Sequence, residues 1–368
     1  MFVAWRDLRF ARGRFMLIGA VVALITLLVG FLSGLTGGLA AQNVSGVLAL
    51  PGDRLVLQDA SGEGASFATS ALSEEAVDAW RSAPGVEAAL PVGIVQSRAE
   101  TSGSSSPTGV ALFGVPRSKG GEEGSGTDQN AIAALAPAHD HEVGLSAGAA
   151  RELDAAVGGS VTITGEEYRV STVGGDAWYS HTPVVVMAPD AWAEADERVG
   201  GSGEPTVLAV SGDPDWDAVA ERTGTSAESP LASLAALETF RSEIGSLGLM
   251  IAMLFGISAL VVGAFFTVWT MQRSTDVAVL RALGATTGSL VLDALGQALT
   301  VLAAGIGVGL AAVVGLGALV GSALPFLLSP LTTLAPAAVM AVLGLAGAAF
   351  ALRSVTSSDP LTALGSHR

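Results

Sequence analysis

Glu243, Ser246, Met250 and Met253 recur at helical spacing at the start of an uncharged run that extends from Ile244 to Gln272. At 1.5 Å of rise per residue they share one face within roughly 15 Å of helix axis. A carboxylate at the mouth of an apolar helix faces a partner or a cavity rather than lipid. Thioether sulfur and phenolate can both ligate haem iron. Tyr168, Tyr179 and His181 are further candidate ligands of such a site. The competing reading is plainer. Methionine is a flexible filler of packed or lipid-facing helices, and Glu243 beside Arg241 can simply mark the water boundary.

Little else in the chain suggests chemistry. No G-x-x-x-x-G-K-[ST] phosphate loop occurs, and the only lysine is Lys119, in a loop-like stretch. The run "HDHE", His139 to Glu142, offers two imidazoles and a carboxylate, but without a second cluster it reads as a solvated loop. Serines and acids are plentiful and nothing marks a nucleophile. No catalytic residue, resident metal or cofactor of its own is expected. Asp293, with Gln297, reads as a cap at the inner boundary of a third apolar run.

The elements that must position these residues follow from charge and hydropathy. The chain has 368 residues, half of them apolar, and no cysteine. Between Asn43 and Glu243 there are ten basic against thirty acidic residues; outside that block there are eight against four. No basic patch speaks for nucleic acid. Phe15 to Gln42, Ile244 to Gln272 and Ala294 to Leu352 carry no charge, and the last run, of 59 residues, is interrupted near "ALPFLLSPLTTLAP". About 20 apolar residues cross the hydrocarbon layer, so the runs give one span, one span, and then two joined by a proline-containing turn.

Arg6, Arg9, Arg12 and Arg14 precede the first span, Arg273 and Arg281 separate the second from the third, and Arg353 and Arg368 follow the fourth. Arginine stays on the cytoplasmic side, which puts both termini inside and the acidic block outside. The apolar run at residues 15–42 is longer than a cleaved leader carries, so it reads as a retained span. "FVAWRDLRFARGRF" reads as an amphipathic helix on the inner surface, with Phe2, Trp5 and Phe10 or Phe15 dipping into lipid.

The expected division is a cytoplasmic amphipathic helix at 1–14, a first span at 15–42, and an extracellular domain at 43–230. A stalk and second span follow at 231–271, and a cytoplasmic coupling helix at 272–290. The third span is 291–324, an extracellular turn 325–335, the fourth span 336–353 and a cytoplasmic tail 354–368. The fold class is thus an α-helical membrane protein of four spans with an α+β domain between the first two. In that domain "DRLVLQ", "VALFGV", "SVTITG", "YRVSTV", "PVVVMAP" and "PTVLAV" read as strands. "SEEAVDAWRSA", "GLSAGAARELDAA" and "DPDWDAVAERTG" read as capped helices. Gly30, Gly34 and Gly38, four apart, form a close-packing ridge for another helix, with a symmetry mate as a candidate partner.

In "STDVAVLRALGATTG" Val277, Leu280 and Leu283 fall on one side of a short helix, with Asp276 and Arg281 on others and Gly284 as a natural stop. A helix held by a span at each end is a good lever. "RSTDVAVLRALGAT" resembles the R-x-x-E-x-A-x-L-R-A-x-G-A signature of FtsX/MacB-type ABC transporter permeases, with Asp276 where glutamate is usual. "AWRDLRFARGRFMLIGAVVAL" is similar to that family's first surface helix and span. "APGVEAALPV", "VALFGV" and "GLSAGAARELDAAVGGSVTITGEEYRVSTV" are similar to its outer domain.

The resemblance implies a homodimer of permeases in membrane lipid, bound below by two copies of a separate ABC ATPase that holds the ATP and Mg. Arg273, Asp276, Val277, Leu280, Arg281, Leu283 and Gly284 would seat in the ATPase groove, and nucleotide-driven closure would move loop, stalks and outer domains together. Size and the absence of a fused ATPase are most like the haem-export members of the family. Haem would then be the substrate, with Glu243, Met250, Met253, Phe31, Tyr168 and Tyr179 as the best-matching positions. The alternatives are an exporter of lipoprotein, peptide or drug, and an FtsX-like regulator of a cell-wall hydrolase that moves nothing.

Overall fold

Helix α1, Arg12–Leu48, begins just before the first uncharged run and does not stop where that run ends. The computed structural model describes residues 12–59, 64–101, 106–117, 132–272, 279, 284, 286–321 and 324–356. They fall into two compact units, Leu39–Ile244 and the described residues of Met1–Gly38 with Gly245–Arg368.

In the first unit the strands are β1 (Arg54–Gln58), β2 (Val86–Thr101), β3 (Thr108–Gly114), β4 (Glu142–Leu145), β5 (Ser160–Ile163), β6 (Glu166–Val173), β7 (Trp178–Tyr179), β8 (Thr182–Met187), β9 (Val207–Gly212) and β10 (Thr225–Glu228). Among them stand α2 (Glu74–Arg81), α3 (Ala147–Glu152), α4 (Pro189–Arg198), α5 (Trp216–Thr223) and α6 (Pro230–Ser233). Ser73, Ser146, Asp215 and Ser229 cap four of these helices, each accepting from a backbone N–H three residues on.

The sheet runs β10-β1-β9-β2-β3-β8-β4-β6-β5, and β5 also pairs with β2. Strands β2, β3, β8, β4, β6 and β5 therefore close on themselves, which removes their free edges. Val110, Leu112, Val143, Leu145, Val161 and Val185 fill the cluster of this closed part. Strands β10, β1 and β9 form, against β2, an open antiparallel wing, one face of which is covered by Trp80, Val77 and Val219 of α2 and α5, and β7 pairs with β8.

Strand β2 holds closed part and wing together, yet its opening "VEAALPVG" is too rich in small residues to alternate cleanly. Its composition has a packing cause. Gly93 and Gly114 face one another across β2 and β3, and the indole of Trp192 lies over the pair. A Cβ on Gly114 would fall 2.5 Å from Trp192 Cγ, so the ring requires both glycines.

Among the described residues four helices are long and apolar enough to cross a membrane: α1 and α7 (Glu238–Gln272), whose ends extend into the first unit, and α8 (Thr287–Val320) and α9 (Pro330–Thr356). Helix α9 starts earlier than the expected 336, because Ser329 receives the Thr332 N–H and Pro330 occupies the first turn, where its missing donor is harmless. Pro336 lies inside the helix.

Lipid gives apolar helices no hydrophobic reason to associate, so small residues that let backbones approach decide the packing. Along α1 and α8 they do so in register. A Cβ on Gly305 would sit 2.8 Å from the Val22 side chain, one on Gly309 2.6 Å from Thr26, and one on Gly30 2.8 Å from Val313. The outer part of the glycine ridge takes a different occupant. Pro325, Phe326 and Leu327, which precede α9, lie in it: Leu327 N donates to Gly34 O at 3.0 Å, and a Cβ on Gly38 would overlap the Pro325 carbonyl. The ridge expected to receive a symmetry mate is thus filled from within the chain.

Gly38→Ala should lower the melting temperature of the detergent-purified protein, by the equivalent of about 1–3 kcal/mol, since the added methyl strikes backbone. Gly307→Ala, which meets nothing within 4 Å, should leave it unchanged or slightly raised. Equal effects at the two positions would contradict the packing described.

Candidate functional site

The end of α1 and the start of α7 are brought together by one amide. Asn43 is fully buried. Its Nδ2 donates to Glu243 Oε2 at 3.1 Å, and its Oδ1 accepts from Thr239 Oγ1 at 3.4 Å. Thr239 and Glu243 are four apart on α7, so a single asparagine spans one helical turn of its neighbour. His181 Nε2 lies 3.0 Å from the same Glu243 oxygen, with the two side chains 37% and 25% exposed. A carboxylate at a helix mouth is here met by an amide donor and an imidazole, all within Leu39–Ile244. This cluster is acceptor-rich, polar and open to water on one side.

Further along α7, Met250 and Met253 are 50% and 61% exposed. Their thioethers are available to whatever covers that face. Phe31 of α1 stacks on Phe326 with ring centroids 5.0 Å apart.

Residues 248–360 match the family model described as FtsX-like permease C-terminal. The chain carries an FtsX-like permease domain. Over 99% of both chains it is 25% identical to a Staphylococcus haemolyticus (strain JCSC1435) protein named for hemin transport, the permease HrtB. It is 23% identical, again over 99% of both, to an uncharacterized ABC transporter permease of Mycobacterium bovis. Among solved structures, the periplasmic region of MacB from Actinobacillus actinomycetemcomitans is similar over 50% of this chain and 92% of that one, at 11% identity and a TM-score of 0.34. With four helices long and apolar enough to cross a membrane among the described residues, the chain is a membrane protein.

Two residues expected as walls or ligands are buried in hydrophobic clusters of the sheet unit. Tyr168 is 1% exposed, in the cluster of the closed strands, and its hydroxyl donates to Glu166 at 3.3 Å. Tyr179 is 7% exposed, in a different cluster, edge-on to Phe113 and Phe67. Burial raises the Tyr179 pKa to about 12. Burial first, and then the Glu166 charge, raise that of Tyr168. At neutral pH both are protonated core residues rather than phenolate ligands.

The coupling residues Arg273, Asp276, Val277, Leu280, Arg281 and Leu283 lie outside the described residues, as does the surface helix at 1–11. Gly284 is described, in a turn at φ +92°. In the "HDHE" run His139 Nδ1 lies 3.3 Å from Glu142 Oε2, and among the described residues no group of three potential metal ligands assembles. In α8, Gln297 is buried and its Nε2 donates to Asp293 Oδ2 at 3.1 Å, within the helix.

Asn43, Thr239 and Phe326 carried no signal in the sequence. An asparagine at the edge of an apolar run looks like a boundary residue, and only its distance from Glu243 reveals its use.

The permease has two tyrosines, so absorbance at 295 nm reports both. In the folded protein they should titrate above the ordinary value of about 10, with Tyr179 near 12; in denaturant both should titrate near 10. Because the folded values are raised, the stability that the neutral phenols contribute is complete below about pH 10 and is lost as pH rises through the folded values. Native titration near 10 would mean that the rings are not buried.

Proposed function

We propose that this chain is the permease subunit of an ABC efflux pump that exports haem from the membrane, driven by a separate ATPase through mechanotransmission. The observation that carries the reading is the end-to-end likeness to the hemin-transport relative, which covers 99% of each chain. The absence of a phosphate loop from the sequence supports an outside source of energy. The exposed thioethers of Met250 and Met253 and the Glu243 carboxylate on α7 supply iron-ligating and polar chemistry of the kind an amphiphilic ring requires. Phe31 adds an aromatic surface.

In this reading two copies of the permease pair in the bilayer and two ATPase subunits bind below. Residues 273–284 form the handle on which the ATPases act. Charge reversal at Arg281, or Leu280→Asp, should abolish recovery of the ATPase with the tagged permease.

The decisive measurement is the ATPase rate of the assembled complex in nanodiscs as haemin is added. Haemin should raise the rate several-fold and develop a Soret band. Met250→Ala with Met253→Ala should shift the band and weaken the stimulation about tenfold. Stimulation by peptides with none by haemin would move the assignment to peptide export. No stimulation by either, with an extracellular protein recovered by crosslinking, would make the chain a regulator instead.

A further inference from the structure

The loop between β7 and β8 consists of Ser180 and His181, both with positive φ, +48° and +65°. Two-residue hairpin loops of this kind favour Asn and Gly, because a Cβ in the left-handed region costs about 1–2 kcal/mol per residue. Here neither residue is of the favoured type. The conformation is held by docking: Ser180 N donates to Asn43 O and His181 N to Gln42 O, each at 3.0 Å. Those carbonyls belong to α1, and a second lone pair on each accepts the added bond. Gly46 of α1 makes room, since a Cβ there would sit 2.9 Å from Trp178 O.

The strained turn also aims two side chains at α7. Ser180 Oγ meets Thr239 Oγ1 at 3.1 Å, and His181 Nε2 meets Glu243 Oε2 at 3.0 Å. From the other side the Asn43 amide bridges Thr239 and Glu243. The end of α1 is anchored by Val44 and Val47, and the hairpin by Tyr179, all in one buried cluster. Leu237 and the partly buried Phe240 bring the start of α7 to the same cluster, while at Thr239 and Glu243 the helix is met by side-chain hydrogen bonds, several of them open to water. Water can replace such bonds at little net cost.

We propose that the Ser180–His181 turn and Asn43 form a releasable latch on the first turns of α7, closed in the resting permease and opened in each transport cycle. Asn43, Ser180, His181 and Thr239 are then positioning residues, which set when the outer end of α7 can leave the sheet. The inference rests on the permease reading. It adds a specific joint, placed by geometry, with strain stored in the turn while the latch is shut.

The cysteine-free sequence makes the test clean. In Ser180→Cys/Thr239→Cys the two sulfurs replace oxygens 3.1 Å apart, within reach of an S–S bond of about 2.05 Å after a small approach of the side chains. The full permease with its ATPase, reconstituted in proteoliposomes, should crosslink readily without nucleotide and several-fold more slowly when the ATPases are held closed by ATP and vanadate. Oxidation should reduce haemin efflux at least tenfold, and reductant should restore it. Adding Asn43→Asp, which sets a second carboxylate against Glu243, should slow crosslinking even without nucleotide.

Full efflux with the disulfide closed, or the same crosslinking rate in both nucleotide states, overturns the latch while leaving the transporter reading intact. Failure of the pair to crosslink at all also overturns it. If unmodified complex shows no nucleotide-dependent haemin efflux, the transporter reading itself fails, and the latch with it.

Discussion

Backbone can approach backbone only where side chains are missing, and in lipid that approach is most of what holds helices together. The membrane unit is organised around this limit. Gly30, Gly305 and Gly309 bring α1 and α8 into contact, and Gly34 and Gly38 open the groove that receives Pro325 to Leu327. A larger residue at any of these places would separate elements that no apolar attraction would bring back. Phe31, a candidate wall of the substrate path, has its ring stacked on Phe326 because the groove draws that residue in.

The extracellular unit solves a different problem with water as its solvent. Closing β2, β3, β8, β4, β6 and β5 on themselves buries a dense aliphatic cluster and removes edges that an exposed sheet would otherwise present. Its large acidic excess then lies on the outside. Where the sheet meets the ends of α1 and α7 the packing turns polar. A buried asparagine, a partly exposed glutamate and a histidine in a left-handed turn stand beside the hydrocarbon contacts of Val44, Val47, Leu237 and Phe240. Such contacts are specific in direction and low in net free energy, a combination suited to a joint rather than to a foundation.

Function follows from the contrast between these regions. The chain supplies a membrane permease with apolar helices, a firm outer sheet and a polar seam at the helix ends. The iron-ligating residue types occur on α7, on the same helix whose first turns are tied by that seam. In the proposed reading, in which energy comes from another subunit, the useful property of the seam is that water can replace it.

Much of this was legible in the sequence. Four spans, their direction, an α+β domain between the first two and most of its strands follow from run length, charge and alternation, which are local properties of the chain. The coupling motif at residues 273–284 is likewise read from local pattern, and all but two of its positions lie outside the described residues. What sequence reading could not supply were the relations among distant residues. Strand β2 was missed because its glycines answer to Trp192, a residue about a hundred positions later. The glycine ridge looked outward because nothing local marks Phe326 as its occupant. Tyr168 and Tyr179 looked like ligands, whereas burial among neighbours from several strands raises their pKa values and takes them out of that chemistry. Asn43 and Glu243 are 200 positions apart, and no periodicity reaches that far. Span, side and charge are set residue by residue along the chain; partnership is decided only when folding brings the two ends of the extracellular block to one place.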